Sequence, residues 1–541
     1  MCMCLCYFFM ISSATKKLIQ QLQVSDVKVF YQQDNTPKIQ IDDFVGKLSF
    51  IYEKIRNTID YREDHLLRKA AISRILQRRL LIKINLDDLA SSLVKEVMRA
   101  GYLENNLIPE SKIEDVDRII NKYLILFNFS RFKDSNTAGK SLFKWLLELA
   151  ACEIEECLMP PLADRALAEF AFKVLKPAVN IQGNGLTEEQ KDLYIYLAVY
   201  QALVKSDDAM VDLFLFRYFY PGWKKANSED AMPLATKIVN FRAKIHAYRK
   251  ATLNEQLVKS FKKYSFAIII LRDLILENPE EAAKLFVKKD ALEKKITKIC
   301  EEWYHKVKIK LRRSIGRVII YLFLTKMLLA LFLELPYDRY LMGEVLWTPL
   351  IINALLPPFI MLILGLFIRV PKKNNTAEVI RLIKETVDTG VLVTADKLQK
   401  FSNYKSKALM GVFHTLYFIL FSFSFGVLIY CLKSIGFNLF SIAVFLIFLS
   451  LVSFFGIKLR VKVRALYVLA TKDNPIVFMI NLLALPFLKA GQWMSEKFSK
   501  INVFVFFLDF IIEAPFKVFA EVIEEWVRFL REKKEEIYNK E

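Results

Sequence analysis

The chain has 541 residues, of which 54% are hydrophobic and 25% are charged, and its formal net charge is +20. Glycine is scarce, at 15 residues, which argues against folds built on glycine-rich phosphate loops and favours helices. In a chain that is both apolar and charged, the apolar residues are usually concentrated in one part of the sequence and the charged residues in another. We therefore predict a helical domain and a separate set of membrane spans.

The first residues give two signals. The opening sequence MCMCLCYFFM lacks the basic start and the cleavage site of a signal peptide, and both Met1 and Met10 stay open as the start of translation. Residues 24–41 alternate polar and apolar side chains around a DNTP turn sequence. This pattern predicts a weak β-hairpin within an N-terminal segment of residues 1–40.

Residues 41–310 are predicted to form one helical domain, because their apolar residues recur at helical spacing. Thr187 and Gln190 have the spacing of a capping box at the start of one helix. The segment 62–83 is strongly basic, and two readings are open: a solvated helix face, or a face that contacts anionic lipid headgroups. Its cations are Arg68, Lys69, Arg74, Arg78, Arg79 and Lys83.

Four apolar stretches follow, each long enough to cross a bilayer, for which about 20 residues are needed. They lie near 318–335, 346–369, 412–432 and 437–457, in a transmembrane region of residues 311–465 that also contains a basic insert, 371–410. Only four residues separate the third stretch from the fourth. These two are therefore predicted to form an antiparallel hairpin.

Basic and non-basic connections alternate along this region. The connections 306–317, 369–373 and 458–464 are rich in Lys and Arg, whereas 336–345 holds a single arginine. By the positive-inside rule, the helical domain, the insert and both termini are predicted to be cytoplasmic, with the protein in the cell membrane.

The C-terminal part, residues 466–541, is predicted to hold membrane-associated helices and a charged tail. The apolar stretch 475–491 is interrupted by Pro486, and 501–520 carries several charges. Two amphipathic helices that lie in the interface or re-enter the membrane are favoured over two further spans. Both arrangements leave the C-terminus inside.

Lys326 is the most informative single residue. It lies about 12 Å into the first span, where a charge costs about 2.5–3.5 kcal/mol, and it therefore needs an acidic partner or a wet cavity. Glu334 is about 80° further round an α-helix and is expected at the outer interface instead. Asp509 and Glu513, spaced four apart with Lys517 continuing the same face, are the predicted partners.

Two interpretations of these charges are open. In the favoured one, they form an internal ion pair that holds the helices together. In the other, they line an ion or proton pathway across the membrane.

The second span carries Pro349, Pro357 and Pro358, which remove backbone donors and are predicted to break or kink the helix. Broken helices recur in transporters, and plain kinks are common elsewhere. The prolines therefore fit both interpretations of the charges.

Signs of catalysis are weak. The four histidines are far apart, and the seven cysteines show no zinc or disulfide spacing. Gly139-Lys140-Ser141 resembles the end of a phosphate loop, but Asp134 stands where that loop needs a glycine. We predict no catalytic residues, no metal site and no cofactor, and the sequence favours a non-enzymatic protein.

The predicted fold is all-α: an N-terminal cytosolic helical domain, a multi-pass transmembrane region and amphipathic C-terminal helices. The favoured function is a membrane-anchored scaffold that binds a protein partner, and the alternative is a transporter or channel subunit. The bilayer, with its anionic headgroups, is the other expected partner. Nucleic acid is not expected, because no aromatic RNA-binding motif accompanies the basic residues.

Overall fold

The computed structural model is almost entirely helical in the part of the chain that it describes, which confirms the predicted all-α fold. The described residues are 11–32, 34, 36–41, 63–82, 88–133, 137–181, 185–343, 345, 347–392, 399–401, 407–469 and 475–500, with positions 522, 526, 529 and 530.

Thirteen α-helices of 6 to 26 residues build the described N-terminal part before α14. They are α1 (Ser13–Gln23), α2 (Val27–Gln32), α3 (Asp64–Ile82), α4 (Leu89–Arg99), α5 (Ser111–Lys133), α6 (Thr137–Leu158), α7 (Leu162–Leu175), α8 (Glu188–Leu203), α9 (Asp208–Phe219), α10 (Ser228–Ala235), α11 (Ile238–Arg249), α12 (Thr252–Glu277) and α13 (Ala282–Val287). The predicted capping box starts α8: Gln190 N–H donates to Thr187 Oγ1 at 3.3 Å, and Thr187 N–H donates to Gln190 Oε1 at 3.1 Å.

Helix α6 lies at the centre of this part. It packs against α3, α5 and α9, and its residues Leu146, Leu149 and Ile154 are fully buried. A helix covered on several sides must be apolar around most of its circumference, and any charge on it needs a partner.

The predicted hairpin at 24–41 is wrong. Residues Val27–Gln32 form α2, and the region contributes one isolated antiparallel bridge, Lys38 with Pro109. Tyr31 is 1% exposed and its hydroxyl donates to the Leu158 carbonyl at 2.9 Å. Long-range burial of Tyr31 in the core therefore overrides the local alternation of polar and apolar residues.

Among the described residues, four helices are long and apolar enough to cross a membrane, as predicted. They are α14 (Lys289–Leu329), continued to Tyr340, α15 (Trp347–Phe367), α17 (Lys407–Ser434) and α18 (Leu439–Arg464). Only between 11% and 44% of their most apolar windows is buried inside the protein. So much exposed apolar surface is stable in lipid and would promote aggregation in water.

The first of these helices belongs to both parts of the molecule. It runs without interruption for 52 residues, Lys289–Tyr340, or about 78 Å at ~1.5 Å per residue. Its N-terminal portion packs against α12, and its C-terminal portion packs against α15. The N-terminal part is thus joined to the apolar helices by a helix and not by a flexible linker.

The insert between α15 and α17 folds into the N-terminal part. It contains α16 (Lys373–Thr389) and strand β2 (Gln399–Phe401), which pairs in parallel with β1 (Val179–Ile181). Buried apolar side chains of α16 join the same core as α12 and α14. The backbone also connects the two, since Leu392 N–H donates to the Val174 carbonyl at 3.0 Å.

A polar junction fixes where these segments meet. The Asn375 side chain donates to the Leu466 carbonyl at 2.8 Å and to the Tyr304 hydroxyl at 3.0 Å, and it accepts from Val468 N–H at 2.9 Å. Helix α14, the insert and the chain after α18 therefore come together on one side of the apolar helices.

The last described helix, α19 (Pro475–Lys500), runs antiparallel to α18. Arg460 donates to Asn481 at 3.5 Å, and further along Gly491 packs against the backbone of Ser450, the twelfth residue of α18. Helix α19 reaches halfway along α18, and the predicted interfacial or re-entrant placement of 475–491 stays a prediction. A re-entrant helix and a further span both fit, and 501–520 lies outside the described residues.

Candidate functional site

Lys326 finds its acidic partner in its own helix. Its ammonium nitrogen lies 3.0 Å from Glu334 Oε1, and both side chains are 0% exposed. The expectation that Glu334 would reach the outer interface is therefore wrong. The expected partners Asp509 and Glu513, with Lys517, lie outside the described residues.

A π-helical turn explains this pairing. Residues Ala330–Glu334 form a π-helix between α14 and a short α-helical stretch, Leu335–Tyr337. A π-helix advances by a smaller angle per residue than an α-helix, because its hydrogen bonds reach one residue further. Four such steps turn Glu334 back over Lys326, whereas regular α-helical geometry would place it on another face.

A second helix contributes an amide to the pair. Asn353 of α15 is 0% exposed, and its Nδ2 donates to Glu334 Oε2 at 2.8 Å and to the Ser441 carbonyl of α18 at 3.4 Å. Both oxygens of the Glu334 carboxylate thus have a donor. We call Lys326, Glu334 and Asn353 the polar cluster. Its hydrogen bonds connect α14, α15 and α18.

The lysine also contacts an aromatic ring. Lys326 Nζ lies 4.7 Å from the centroid of the Phe448 ring on α18. The negative face of an aromatic ring attracts a cation, and the attraction grows when water is excluded. The ammonium is therefore stabilised from two directions, by the Glu334 carboxylate and by the Phe448 ring.

One atom of the cluster stays without a hydrogen bond. Asn353 Oδ1 is buried and has no partner among the described residues. Leaving a buried amide oxygen without a hydrogen-bond donor lowers the stability of the fold by about 1–3 kcal/mol. This oxygen is the part of the cluster that could accept a hydrogen bond from another group or contact a cation.

A second polar contact lies nearer the end of these helices. Asn438 caps α18, since its Oδ1 accepts from Ser441 N–H at 2.7 Å, and its Nδ2 donates to Asp338 Oδ1 at 2.7 Å. Asp338, 2% exposed, begins a second π-helical turn, Asp338–Met342. This pair fixes the end of the first long helix to the start of α18.

The three prolines of α15 do not break it. The helix is continuous through Pro357 and Pro358, and both rings are buried. A break, one of the two predicted outcomes, is therefore absent from the described helix, and the kink stays a prediction. Pro349 lies in the first turn, where a backbone N–H has no intrahelical acceptor and its loss costs little.

Charged side chains in the N-terminal part are also paired internally. Four carboxylates of α6 bind cations from the surrounding helices. The pairs are Glu148 with Lys69 (2.9 Å), Glu153 with Lys122 (2.7 Å), Glu155 with Arg68 (2.6 Å), and Glu156 with Arg165 (2.7 Å) and with Arg217.

The most buried of these pairs is Lys122 with Glu153, at 1% and 3% side-chain exposure. Lys122 also donates to the Trp223 carbonyl at 2.8 Å, and Glu153 accepts from Trp223 Nε1 at 2.9 Å and from the Tyr123 hydroxyl at 3.0 Å. Burial lowers the pKa of Lys122 despite the adjacent carboxylate. The pair is hydrogen-bonded to Trp223 and Tyr123 of the surrounding core, which indicates that it stabilises the fold.

Several cations of the basic segment 62–83 bind carboxylates inside the domain. Arg68 and Lys69 of α3 are 13% and 5% exposed and bind α6, and Arg79 binds Glu96 of α4 at 3.2 Å. The two predicted readings of this segment, a solvated face or a face against lipid headgroups, are wrong for these residues. Lys83 lies outside the described residues.

The GKS sequence is part of a helix. Gly139, Lys140 and Ser141 lie in the first turns of α6, and the element before them is helix α5 and not a strand. Ser141 Oγ accepts from Arg242 at 2.9 Å. The strand that precedes a phosphate loop is therefore replaced here by a helix.

The N-terminal part carries a cleft of about 490 Å³ at the starts of α4, α5 and α10. Its carboxylates include Asp88, which precedes α4, and Asp117, which accepts from Asn121 at 2.8 Å. In the described part of the chain, no group of three His, Cys, Asp or Glu side chains could hold a metal ion.

Comparisons with known proteins give no relative: no family model matches the chain, and neither the curated proteins nor the solved structures contain a match.

Proposed function

We propose that the protein is a multi-pass membrane scaffold, anchored by its apolar helices, whose helical domain binds a protein partner in the cytoplasm. One observation carries this proposal. The intramembrane lysine is neutralised inside its own helix by Glu334, at full burial, and is therefore a structural group.

The connection between the two parts supports an anchoring role. Helix α14 continues from the domain into the apolar region, and the Asn375 junction connects the domain to the chain after α18. An interaction made by the domain is thereby held at a fixed distance from the membrane. A scaffold needs this property, and it requires no reactive group.

The cytoplasmic orientation rests on charge. The ends of the apolar helices that face the domain carry the basic stretches 306–317, 369–373 and 458–464. The positive-inside rule retains such stretches in the cytoplasm of the cell. Asn375 binds Tyr304 and Leu466, and each of these three residues lies next to one of the basic stretches, which supports their grouping on one side.

A transporter or channel subunit is the second candidate. Asn353 Oδ1 supports it, because a buried oxygen that accepts no hydrogen bond from the described part of the chain could contact a passing cation. The π-helical turn beside the cluster supports it too, since such turns occur often at functional sites.

Flux measurements separate the two candidates. The full chain is reconstituted into liposomes, and proton and potassium flux are recorded for the wild type and for Lys326→Met/Glu334→Leu. The scaffold proposal expects both proteins to match protein-free liposomes. Wild-type flux that disappears in the double variant would establish the transporter instead.

A separate experiment tests the proposed binding of a protein partner by the helical domain. Proteins crosslinked to the chain in intact cells are compared between the wild type and the same double variant. We expect the same set from both, because the domain lies outside the polar cluster. Loss of the set in a folded double variant would contradict the proposed separation of anchoring and binding.

A further inference from the structure

Helix α11 lies at the edge of the N-terminal domain and leaves most of its surface uncovered. Of its twelve residues only Ile238 and Ile245 are buried, and both are 0% exposed. These two residues are seven apart and lie on one side of the helix, against the core. The opposite side of α11 therefore faces solvent in the single chain.

That exposed side is cationic. The segment 237–250 holds five lysines and arginines and no acid. Two of the five point toward the core, where Arg242 donates to Ser141 at 2.9 Å and Arg249 binds Asp212 at 3.2 Å. The other three are exposed: Lys237, Lys244 and Lys250.

The three exposed lysines have no carboxylate partner in the part of the chain that the structure describes. Lys244 lies instead over an aromatic ring, with its ammonium nitrogen 3.9 Å from the centroid of Phe219. Charges of both signs are usually interspersed on a protein surface. Three uncompensated cations on one exposed side therefore favour a partner that carries negative charge.

A shallow apolar strip lies between these lysines. Val239 is 53% exposed, and Ala243 and Ala247 follow it at intervals of four residues and are exposed too. Residues spaced in this way line one face of a helix. Because alanine side chains are short, a second helix can approach α11 closely along this strip. The face therefore fits an amphipathic helix that has apolar side chains in its middle and carboxylates at its edges.

The C-terminal segment of this chain has the matching properties. Val522, Trp526 and Leu530 are helical, and they are 57%, 61% and 46% exposed. Their spacing of four places them within about 80° of one another on an α-helix. The sequence 519–532 also carries four glutamates and two arginines, which at helical spacing fall on the other side. The sequence thus predicts an acidic helix with an apolar face.

We propose that the exposed face of α11 binds residues 519–532 of a second copy of the chain, with its three lysines against the glutamates. A second copy is favoured over the same chain, because the described positions of both faces are exposed in the single chain. The bilayer is disfavoured, since anionic headgroups repel the net negative charge of 519–532. Two chains can exchange these contacts reciprocally, so that a two-fold dimer contains the contact twice.

This proposal adds self-association to the proposed function, and it rests on the cytoplasmic position of the domain and the C-terminus given there. Each chain would present its C-terminal segment to the domain of the other. The scaffold would then hold two domains side by side at the membrane.

The test measures the mass of the full chain in a mild detergent at low salt, by light scattering after gel filtration. One variant reverses the lysines of α11: Lys237→Glu/Lys244→Glu/Lys250→Glu. Another reverses glutamates of the C-terminal segment: Glu521→Lys/Glu524→Lys/Glu525→Lys. A third chain carries both sets. The matched control makes the same charge change at exposed lysines of α12: Lys259→Glu/Lys262→Glu/Lys263→Glu.

We expect dimers from the wild type, from the control and from the chain with both reversals. Each single reversal should raise the dissociation constant at least about tenfold, because like charges then face each other. Mixing the two single-reversal chains should restore dimers, since every contact between them again pairs opposite charges. If the lysine reversal does not fold, the glutamate reversal alone should still weaken the dimer.

Three results would overturn the proposal. One is a wild type that stays monomeric, which would leave the bilayer or a foreign protein as the partner of both faces. Another is an unchanged dissociation constant in both single reversals. The third is a dimer that the doubly reversed chain restores but the mixture does not, which would indicate a contact within one chain. Because the mass measurement uses neither flux nor crosslinked proteins, these failures leave the scaffold proposal to its own tests.

Discussion

At the scale of single residues, the polar cluster shows how a membrane helix can contain a lysine. Lys326 binds Glu334 at 3.0 Å and packs over Phe448, and Asn353 occupies the second carboxylate oxygen. An ion pair buried in this way contributes little net stability compared with apolar residues of the same size. Removing one partner is costly, however, since it leaves an uncompensated buried charge.

This asymmetry gives a first prediction. Lys326→Met or Glu334→Leu alone should lower the free energy of unfolding by about 3–5 kcal/mol, and the double variant should lie within about 1 kcal/mol of the wild type. Unfolding by sodium dodecyl sulfate in mixed micelles measures this. Lys433→Met, at an exposed lysine, serves as the control. A double variant as unstable as the single ones would contradict the structural role.

A second prediction concerns two thiols of the domain, the buried Cys300 and the half-buried Cys157. Burial raises the pKa of Cys157 to about 11 and of Cys300 to about 12. The reactive thiolate is therefore a small fraction at pH 8, about one in 10,000 for Cys300, and it increases only as the pH approaches the pKa. Iodoacetamide at pH 8 should leave both thiols unmodified in the folded protein and modify both after unfolding, as read by mass spectrometry. Fast modification of Cys300 before unfolding would contradict this burial.

Single residues were only partly predictable. Lys326 stands out in the sequence because an isolated charge in an apolar stretch demands a partner. Its partner could not be identified, because rotation by 100° per residue assumes an α-helix, and the π-helical turn at Ala330–Glu334 changes the angle. Asn353 carries no sequence signal of its own beyond being a polar residue in an apolar span.

At the scale of helices, the contact between α18 and α19 depends on the absence of a side chain. A Cβ atom on Gly491 would collide with the backbone carbonyl of Ser450. Small residues let two helices approach closely, and such contacts stabilise helix pairs in lipid.

Gly491→Leu should therefore separate the two helices and lower stability by about 1–3 kcal/mol or more. Gly426→Leu on α17 is the matched control, since the space around its Cβ position is open. A disulfide between Arg460→Cys and Asn481→Cys, formed in the otherwise native protein, reports the contact. Equal crosslinking with and without Gly491→Leu would show that α19 does not depend on this close approach.

Helices were predictable where their pattern was strong. The four apolar helices follow from length and composition alone, and the capping box at Thr187 follows from spacing. The predictions for the α2 region and for the basic helix α3 were wrong for one reason. Contacts with α6 determine the structure of the first and the burial of the cations of the second. A local pattern contains no information about a partner 87 residues away, as for Arg68 and Glu155, or 127 residues away, as for Tyr31 and Leu158.

At the scale of the whole molecule, the insert unites the two parts. Asn375 contacts Tyr304, Leu466 and Val468, and it is 3% exposed. Replacing it by a residue without hydrogen-bonding groups would leave the buried Leu466 carbonyl and the half-buried Val468 N–H without this partner.

Asn375→Leu should thus cost about 2–6 kcal/mol, at about 1–3 kcal/mol for each of the two unpaired groups. Hydrogen exchange should accelerate in α16 and near Leu466, with α15 unchanged. Asn374→Leu, at the neighbouring exposed asparagine, is the control. Unchanged exchange in α16 would mean that the junction does not hold the insert to the domain.

The alternation of basic connections predicted that the domain, the insert and the segment after α18 share one side. It could not predict that the insert completes the core of the domain. That union depends on the pairing of β1 with β2, in which Val179 meets Gln399. Two strands of three residues each, so far apart in sequence, leave no detectable pattern.

Labelling with a membrane-impermeant maleimide tests the central claim most directly. Tyr340→Cys and Lys373→Cys are each placed in the full chain with Cys431→Ser, since Cys431 is an exposed thiol. In intact cells, the thiol at position 340 should react at once, and the thiol at position 373 should react only after the membrane is opened. Reaction of both from the outside, or of neither, would contradict four crossings with the helical domain and its insert on the cytoplasmic side.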